Sequence, residues 1–555
     1  NYNSSQLVSG SMGTGWYHNF ERRLEVTEDN ILIYDSPSVY SIYEKISDTV
    51  YNCITKGKEN YILTLNSDGG YVLDCNKNGK MYFGADGKLT AVEDKQGFKT
   101  ALTYAENSII ITDAIEGSII LNLENGFVTS ITDGIRTAEF TYSDGYLIEI
   151  KDVNGSKLYY TYNSDGFIET GADDNGTVYF VNTYENGKIS EQVDGSGNSA
   201  KTYFSYNETD TGLTVTVTNR NGDNSTRVFN DYGQLTSYTD ENGNITTYAY
   251  DENLNLVSTT DANGNTESTV YNEYNLPVRS TDKNGNVTSL TYDDNNNIIS
   301  IIYGNNGDIN GDSKVDIKDL VRMKRYLVDT TVETSSGADI NMDGDSDAVD
   351  LVHLRKYLIS TENLYIASES FSYNDRNQLI SSTDLNGTVT RYTYDSNAMP
   401  LSKSVGDRTE YYTYVGGRLT ETTDANGNKT TYEYNSLGQA EKQTTANKIT
   451  AYTYDNKGNI LTATDPEGNT VARTYDGNSL VTSETDAKGN TTFYSYNGNM
   501  KTLYVTFCDG TYIFYDYDGE DRVISVRDQN GNVAYTDYDK AGRVYRQSDA
   551  EKNTT

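Results

Sequence analysis

The sequence predicts a mainly β fold built from short repeats and interrupted once by a small helical segment. Two observations carry this. An aromatic residue followed by Asp or Asn recurs every 20 or 21 residues through much of the chain. Between Tyr292 and Tyr373 that rhythm breaks for 81 residues, and the apolar spacing there changes to that of helices.

Composition sets the frame. The chain has 555 residues, too many for one core of ordinary size, so a repeat array or several domains are expected. Hydrophobic residues make up 35%, yet there are 50 Tyr, so tyrosine rings take the place that Leu and Val usually fill. Only 4 Pro beside 47 Gly favours many strands and tight turns. A net charge of −37 repels phosphate backbones and argues against nucleic-acid binding. No run of about 18 apolar residues exists, so no membrane span is expected. Cys53, Cys75 and Cys508 make neither a disulfide framework nor a metal cluster; a Cys53–Cys75 bridge and two unpaired thiols both remain open. The chain begins with Asn and shows no signal-peptide pattern, as expected of a processed or excised fragment.

The repeat is clearest at Phe229, Tyr250, Tyr271 and Tyr292, spaced by 21 residues. It resumes at Tyr373, Tyr394, Tyr414, Tyr434, Tyr454, Tyr475, Tyr496, Tyr517 and Tyr538, with looser copies at Tyr142, Tyr162, Tyr184 and Tyr206. In the unit 247–261, Tyr248 and Tyr250 alternate and share one strand face. A polar turn follows, then a strand over 254–260, then Asp261-Ala262-Asn263-Gly264-Asn265, where Asn-Gly signals a tight turn. The same turn recurs at Asn242-Gly243, Asn284-Gly285, Asn426-Gly427 and Asn530-Gly531. One strand–turn–strand–turn unit cannot bury its aromatic face alone, so periodicity predicts a solenoid-like sheet.

The interruption, about 60 residues over roughly 304–364, stands where a turn belongs and holds two matching halves offset by 31 residues. A hard calcium ion wants oxygen ligands at loop positions 1, 3, 5, 9 and 12 and a carbonyl at 7. The first half supplies Asp308, Asn310, Asp312, Asp316 and Asp319 with the Lys314 carbonyl. The second supplies Asp339, Asn341, Asp343, Asp347 and Asp350 with the Asp345 carbonyl. Gly344 suits the sharp turn at position 6, where the first loop has the less permissive Ser313. Each loop runs into an amphipathic helix, marked by Leu320, Val321, Met323 or Lys324, and Leu327 in the first half and by Leu351, Val352, Leu354 and Leu358 in the second. Two calcium ions are expected. The repeat's own turns lack the acids at positions 5 and 12 and the following helix, so they read as hairpin turns.

Two resemblances follow from these residues. Tyr452-Thr453-Tyr454-Asp455 with Gly458, then Thr464-Asp465 with Gly468-Asn469-Thr470, resembles the YD repeats of the RHS family, whose members include bacterial toxin shells and teneurins. Tyr2-Asn3-Ser4 and Gly13-Thr14-Gly15-Trp16 resemble that family's opening segment. The resemblance covers nearly the whole chain and implies a spiralling β-sheet that forms a hollow shell. The DPxGL-type core motif that closes complete RHS shells, and the toxin that often follows it, are not found before Thr555. The repeats also look few for a closed shell.

The paired loop–helix halves resemble a type I dockerin, a module that binds cohesin modules of scaffolding proteins. By that resemblance the partner contacts are Ile317, Lys318, Lys324 and Arg325 in the first half, and Ala348, Val349, Arg355 and Lys356 in the second. The Ser-Thr pair common in some dockerins is missing.

The expected organisation is an opening segment with degenerate repeats over 1–205, YD repeats over 206–304, the dockerin-like insert over 305–363 and YD repeats over 364–555. An insert at a turn leaves the sheet register intact and projects outward. The functional expectation is an extracellular bacterial interaction protein docked to a cohesin-bearing scaffold, as in a cellulosome. Alternatives are a toxin-encapsulating shell and a carbohydrate-binding or polysaccharide-degrading complex component. No catalytic constellation is visible. His18 and His353 are the only histidines; His18 beside Trp16 reads as packing and His353 as surface.

Overall fold

The computed structural model describes the chain except residues 1, 3–6, 38, 116, 196–200, 284–286, 304–306, 308, 310–314, 330, 333, 335–337, 339, 341–345, 360–366, 498, 540–541 and 550–555. The described residues form 48 strands and two helices. A small hairpin, Ser9–Gly10 with Gly13–Thr14, precedes one continuous antiparallel meander from Arg23–Val26 to Val544–Ser548. Each strand of the meander pairs with its neighbours in sequence, so the sheet is a long strip whose turns alternate between two edges.

The strip starts by closing on itself. Leu24 N–H donates to the Gly87 carbonyl at 2.8 Å, and Arg23 bridges Lys88. The eight strands from Arg23–Val26 to Leu89–Glu93 therefore make a small barrel. Alternation points every second residue inward, and Leu24, Ile31, Ile33, Tyr43, Leu63, Leu73, Phe83 and Leu89 fill it. Cys53 is buried in this core, Cys75 is half-buried and Cys508 exposed, and all three are free thiols. The opening segment is stitched to later strands. Trp16 packs between Tyr2 and Tyr160 at centroid distances of 5.3 and 5.1 Å, and its Nε1–H donates to the Tyr162 hydroxyl at 2.9 Å. His18 accepts the Phe20 N–H through Nδ1 at 3.2 Å, and its burial lowers the imidazole pKa, as suits a packed residue.

Beyond the barrel the strip winds round itself. The turn between the sixth and seventh strands meets the turn between the twenty-seventh and twenty-eighth, where Asn60 Nδ2 donates to the Glu273 carbonyl at 3.0 Å. The turn between the twenty-second and twenty-third meets that between the forty-fifth and forty-sixth, where Arg220 pairs with Asp521 at 3.2 Å. Between them, Lys457 pairs with Asp152 at 2.5 Å. One coil thus takes 21 strands early and 23 later. Both numbers are odd, so one edge of the first coil always meets the opposite edge of the second.

The repeat's tyrosines hold neighbouring hairpins together. Tyr248 and Tyr250 are half-buried on one face while Thr247 and Ala249 are exposed on the other. The Tyr250 hydroxyl donates to the Leu235 carbonyl at 2.9 Å, fifteen residues back. Tyr394, Tyr475, Tyr496 and Tyr517 make the same bond to Leu379, Ile460, Val481 and Thr502.

The turns are larger than the two-residue type that an Asn-Gly pair suggests. Asp261 N–H donates to the Asn265 carbonyl at 3.0 Å and Gly264 N–H to the Asp261 carbonyl at 2.9 Å, with Gly264 left-handed at φ +84°. That is a type I turn followed by a left-handed residue, the three-residue hairpin loop. Asp261 Oδ1 accepts the N–H groups of Asn263 and Asn265 and so fixes the loop from its first residue. The Asn242-Gly243, Asn426-Gly427 and Asn530-Gly531 turns carry the same Asp-centred bonds. The Asn284-Gly285 turn lies outside the described residues.

Candidate metal centre and docking module

Two helices interrupt the strip, α1 (Ile317–Val328) and α2 (Ala348–Ile359). The strands that flank them, Ile298–Tyr303 and Ala367–Tyr373, pair directly, with Tyr303 opposite Ala367. The insert therefore replaces one hairpin turn. Its neighbours across the gap behave as adjacent repeats, because Asn297 Nδ2 donates to Asn377 Oδ1 at 2.9 Å. The equivalent bond within the regular array, Asn255 Nδ2 to Asn275 Oδ1, is 3.0 Å.

Position on the strip follows from the seam. The turns just before and just after these two strands sit on the first coil, where Asn296 Nδ2 donates to the Asn76 carbonyl and Asn377 Nδ2 to the Lys95 carbonyl, both at 3.0 Å. The insert leaves from the opposite ends of the same strands. It therefore rises from the edge of the second coil that faces away from the first.

Inside the insert the two halves repeat one geometry. Asp316 caps α1, its Oδ1 accepting Lys318 N–H at 2.6 Å, and Asp347 accepts Val349 N–H at 2.6 Å in front of α2. Asp319 is fully buried; Oδ1 accepts Ile309 N–H at 2.8 Å and Oδ2 accepts Asp316 N–H at 2.8 Å. Asp350 is likewise buried and accepts from Ile340 at 2.7 Å and from Asp347 at 2.8 Å. Each carboxylate sits in the first turn of its helix, where the dipole favours negative charge. Each also ties the second residue of its loop to the ninth.

Those second residues are core. Ile309, Ile340, Met323, Leu354 and Ala338 are almost wholly buried together with Leu320, and Leu327, Leu351 and Leu358 pack against them. Helical spacing finds the helix members. It does not find Ile309 and Ile340, which stand among acidic ligands and show no apolar period. Val321 and Val352, which the apolar spacing includes, are 44% and 50% exposed and lie outside this core.

Of the twelve expected ligand positions, Asp316, Asp319, Asp347 and Asp350 are described, and in each half the pair is brought together at the helix start. Asp308, Asn310, Asp312, Lys314, Asp339, Asn341, Asp343 and Asp345 lie outside the described residues. No group of three or more His, Cys, Asp or Glu side chains gathers as a metal cluster among the described residues. The donor chemistry of the described part fits calcium. A carboxylate has about four lone-pair sites, so accepting two N–H bonds is compatible with chelating a hard cation through both oxygens. The partner residues expected from the resemblance, Ile317, Lys318, Lys324, Arg325, Ala348, Val349, Arg355 and Lys356, are all exposed. His353 is half-buried.

A spiralling antiparallel strip with tyrosine-linked hairpins and an inserted pair of loop–helix halves defines a repeat β-shell carrying a small helical module. Family models agree part by part. A type I dockerin domain matches residues 306–359, and the RHS repeat matches 229–266, 373–402 and 415–448. A domain of unknown function, DUF6531, matches residues 1–39. The chain carries RHS repeats interrupted by a type I dockerin domain.

No curated protein matches the chain. Among solved structures it aligns with a crystal structure of TcdB2-TccC3 at 10% identity and a TM-score of 0.37, covering 95% of this chain and 34% of that one. It also aligns with a Tc holotoxin pore from Photorhabdus luminescens at 11% identity and a TM-score of 0.39, covering 97% and 32%. The chain spans about a third of the length of those chains. Among the described residues no helix is long and apolar enough to cross a membrane.

Proposed function

We propose that this chain is an extracellular structural and interaction protein whose β-shell displays a calcium-dependent dockerin for a cohesin module of a scaffolding protein. The observation that carries the reading is the duplicated buried carboxylate. Asp319 and Asp350 each bind two backbone N–H groups at the start of a helix, in halves 31 residues apart, inside an insert that substitutes for one turn.

Burying an ionised carboxylate is costly unless charge and hydrogen bonds compensate it. Two N–H bonds and the helix dipole supply part of that. Asp308, Asn310, Asp312, the Lys314 carbonyl, Asp316 and Asp319 would hold a divalent cation whose charge would supply the rest, and Asp339, Asn341, Asp343, the Asp345 carbonyl, Asp347 and Asp350 would hold a second in the other half. Bound calcium would offset half of the four carboxylate charges in each ligand set and fix the loop against its helix. The protein's own residues then do the recognition. Ile317, Lys318, Lys324 and Arg325, with their counterparts Ala348, Val349, Arg355 and Lys356, form an exposed apolar and basic surface on a chain of net charge −37. The role is binding rather than catalysis.

The test is calorimetric titration of the whole chain with calcium after chelator treatment, followed by binding to cohesin modules from the same source. Two ions bound and a chelator-sensitive complex are expected. A chain that takes up no calcium, or whose calcium form binds none of those cohesins, would sink the reading.

A further inference from the structure

Asn-Gly is a dipeptide at which a chain readily attacks itself, because glycine has no side chain to screen its amide nitrogen. That nitrogen can bond to the preceding asparagine's Cγ and close an imide ring. The chain is rich in such pairs, and the structure divides them into two kinds.

Eight Asn-Gly pairs among the described residues share one protection. In each, the glycine N–H donates to the carbonyl of the Asp or Asn that opens the turn, at 2.9 to 3.2 Å, as Gly243 does to Asp240 and Gly427 to Asp424. The asparagine N–H is held as well, that of Asn242 by Asp240 Oδ1 and that of Asn426 by Asp424 Oδ1, both at 2.9 Å. Both bonds recur at Asn154-Gly155, Asn263-Gly264, Asn386-Gly387 and Asn530-Gly531.

Two pairs in the first coil stand differently. Asn125-Gly126 joins Glu124 to Phe127 and Asn186-Gly187 joins Glu185 to Lys188, and in both hairpins the flanking residues pair directly. Asn125 and Gly126 have φ +52° and +86°, and Asn186 and Gly187 have +50° and +76°. These are two-residue loops with both central residues left-handed. The hairpin closes through the flanking residues, and the Gly126 and Gly187 N–H groups have no acceptor among the described residues. Asn125 and Asn186 are exposed. A Cβ on Gly126 would meet nothing within 4 Å, and one on Gly187 only the Phe167 ring at 3.5 Å. Gly79, after Asn78, also lacks an acceptor among the described residues, but a Cβ there would lie 2.5 Å from the Glu93 carbonyl oxygen, so that peptide has no room to turn.

We propose that Asn125 and Asn186 are the sites at which the folded shell deamidates, and that the Asp-opened turns of the repeat shield the other pairs. The reaction needs only water. Hydroxide takes the proton from the Gly126 nitrogen, which then bonds to Cγ of Asn125. The Cγ–Nδ2 bond breaks, and the nitrogen leaves as ammonia after taking a proton from water, which restores the hydroxide. Water opens the imide at either carbonyl and leaves Asp or isoaspartate. In the shielded turns the same nitrogen must first give up its acceptor, and the Asn-Gly peptide must rotate against the bond to Asp Oδ1. Two hydrogen bonds slow that step by roughly tenfold or more. Isoaspartate lengthens the main chain by a methylene, which a two-residue loop cannot take up without disturbing its closing pair. At Asn125 the change falls beside Val128, whose N–H donates to the Ser11 carbonyl of the opening segment at 2.7 Å.

Incubating the full chain in mildly alkaline buffer, digesting it with an acid protease and mapping the peptides by mass spectrometry tests this. The readout at each pair is the amide-to-acid mass gain and the isoaspartate yield. Asn125 and Asn186 are expected to convert roughly tenfold faster than Asn242, Asn263, Asn426 and Asn530. The same chain unfolded in guanidinium chloride should convert at all six with similar rates, which separates folded geometry from neighbouring sequence. Asp424→Ala removes the Oδ1 acceptor of the Asn426 N–H and should speed conversion at Asn426 while leaving Asn263 as it was. Even conversion over all six pairs of the folded chain overturns the proposal, as does intact Asn125 and Asn186 at a time when the unfolded sample has converted. An Asn426 rate that Asp424→Ala leaves unchanged overturns the shielding by the turn's Asp.

Discussion

The Tyr373 hydroxyl donates to the Ile298 carbonyl at 3.0 Å, across 75 residues of sequence. Tyr394 makes the same bond to Leu379 across 15. The difference is the insert, and the sheet does not register it. Replacing 304–366 by Asp-Ala-Asn-Gly-Asn, the turn found at 261–265, should therefore leave the far-UV β signal intact. Loop-closure entropy changes by about 2 kcal/mol at most over such a shortening, so thermal unfolding should show the shell's melting temperature unchanged or raised. Calcium uptake should disappear.

Tyrosine hooks should contribute individually and modestly. Tyr475→Phe keeps the ring and removes the bond to Ile460. A cost of about 1 kcal/mol is expected, read from the urea midpoint at unchanged m-value. A loss of several kcal/mol would mean that the hydroxyl does more than link two hairpins.

One turn carries avoidable strain. Ala398 sits at φ +62°, where the repeat often places Gly. A left-handed non-glycine residue costs roughly 1–2 kcal/mol, while glycine gives back about half of that through the unfolded chain. Ala398→Gly should stabilise the shell by about 0.5–1 kcal/mol, and a destabilised variant would refute the turn geometry.

Acid should loosen the turns. The Asp465 carboxyl is held below its usual value by the Asn469 side-chain amide and then by the Asn469 N–H, and Asp486 is held likewise by Asn490. Asp133 is held down to about 2, chiefly by the Arg136 N–H. Because these folded values lie below the unfolded ones, the stability they give is full above the ordinary carboxylate pKa of about 4. It is lost as pH falls through the folded values. Urea midpoints should hold above pH ~5 and drop between ~4 and ~2, and Asn469→Leu should flatten that drop.

Buried carboxylates should govern the insert alone. Asp319→Ala removes the acceptor for the Ile309 and Asp316 N–H groups. Two orphaned donors cost about 2–6 kcal/mol, enough to unfold α1 while the shell melts as before. Calorimetry should count one calcium ion fewer, and Asp350→Ala should mirror the result in the second half.

Much of this was legible locally. The Asp at each turn start, the Gly three residues later and the alternating tyrosines act within a few residues, so their spacing appears directly in the chain. The same holds for Asp316 and Asp347 as members of the duplicated acid pattern, although their capping of the helices came from the structure. Ile309 and Ile340 were not legible, because what makes them core is the opposite half of the insert. The hydroxyl targets of the tyrosines were not legible either, since the accepting carbonyl belongs to a neighbouring hairpin and any residue has one.

By itself, then, the sequence determined the hairpin unit, the positions of its turns, the place of the interruption and the duplicated acid pattern within it. These are short-range, set by backbone sterics and by side chains reaching two to four residues along. Tertiary structure decided the closure of the first eight strands, the odd-numbered coil that brings Lys457 to Asp152 and Arg220 to Asp521, and the edge from which the insert rises. Those depend on how far the sheet twists over about twenty strands. Twist accumulates a small angle at each strand, and no local motif records the sum.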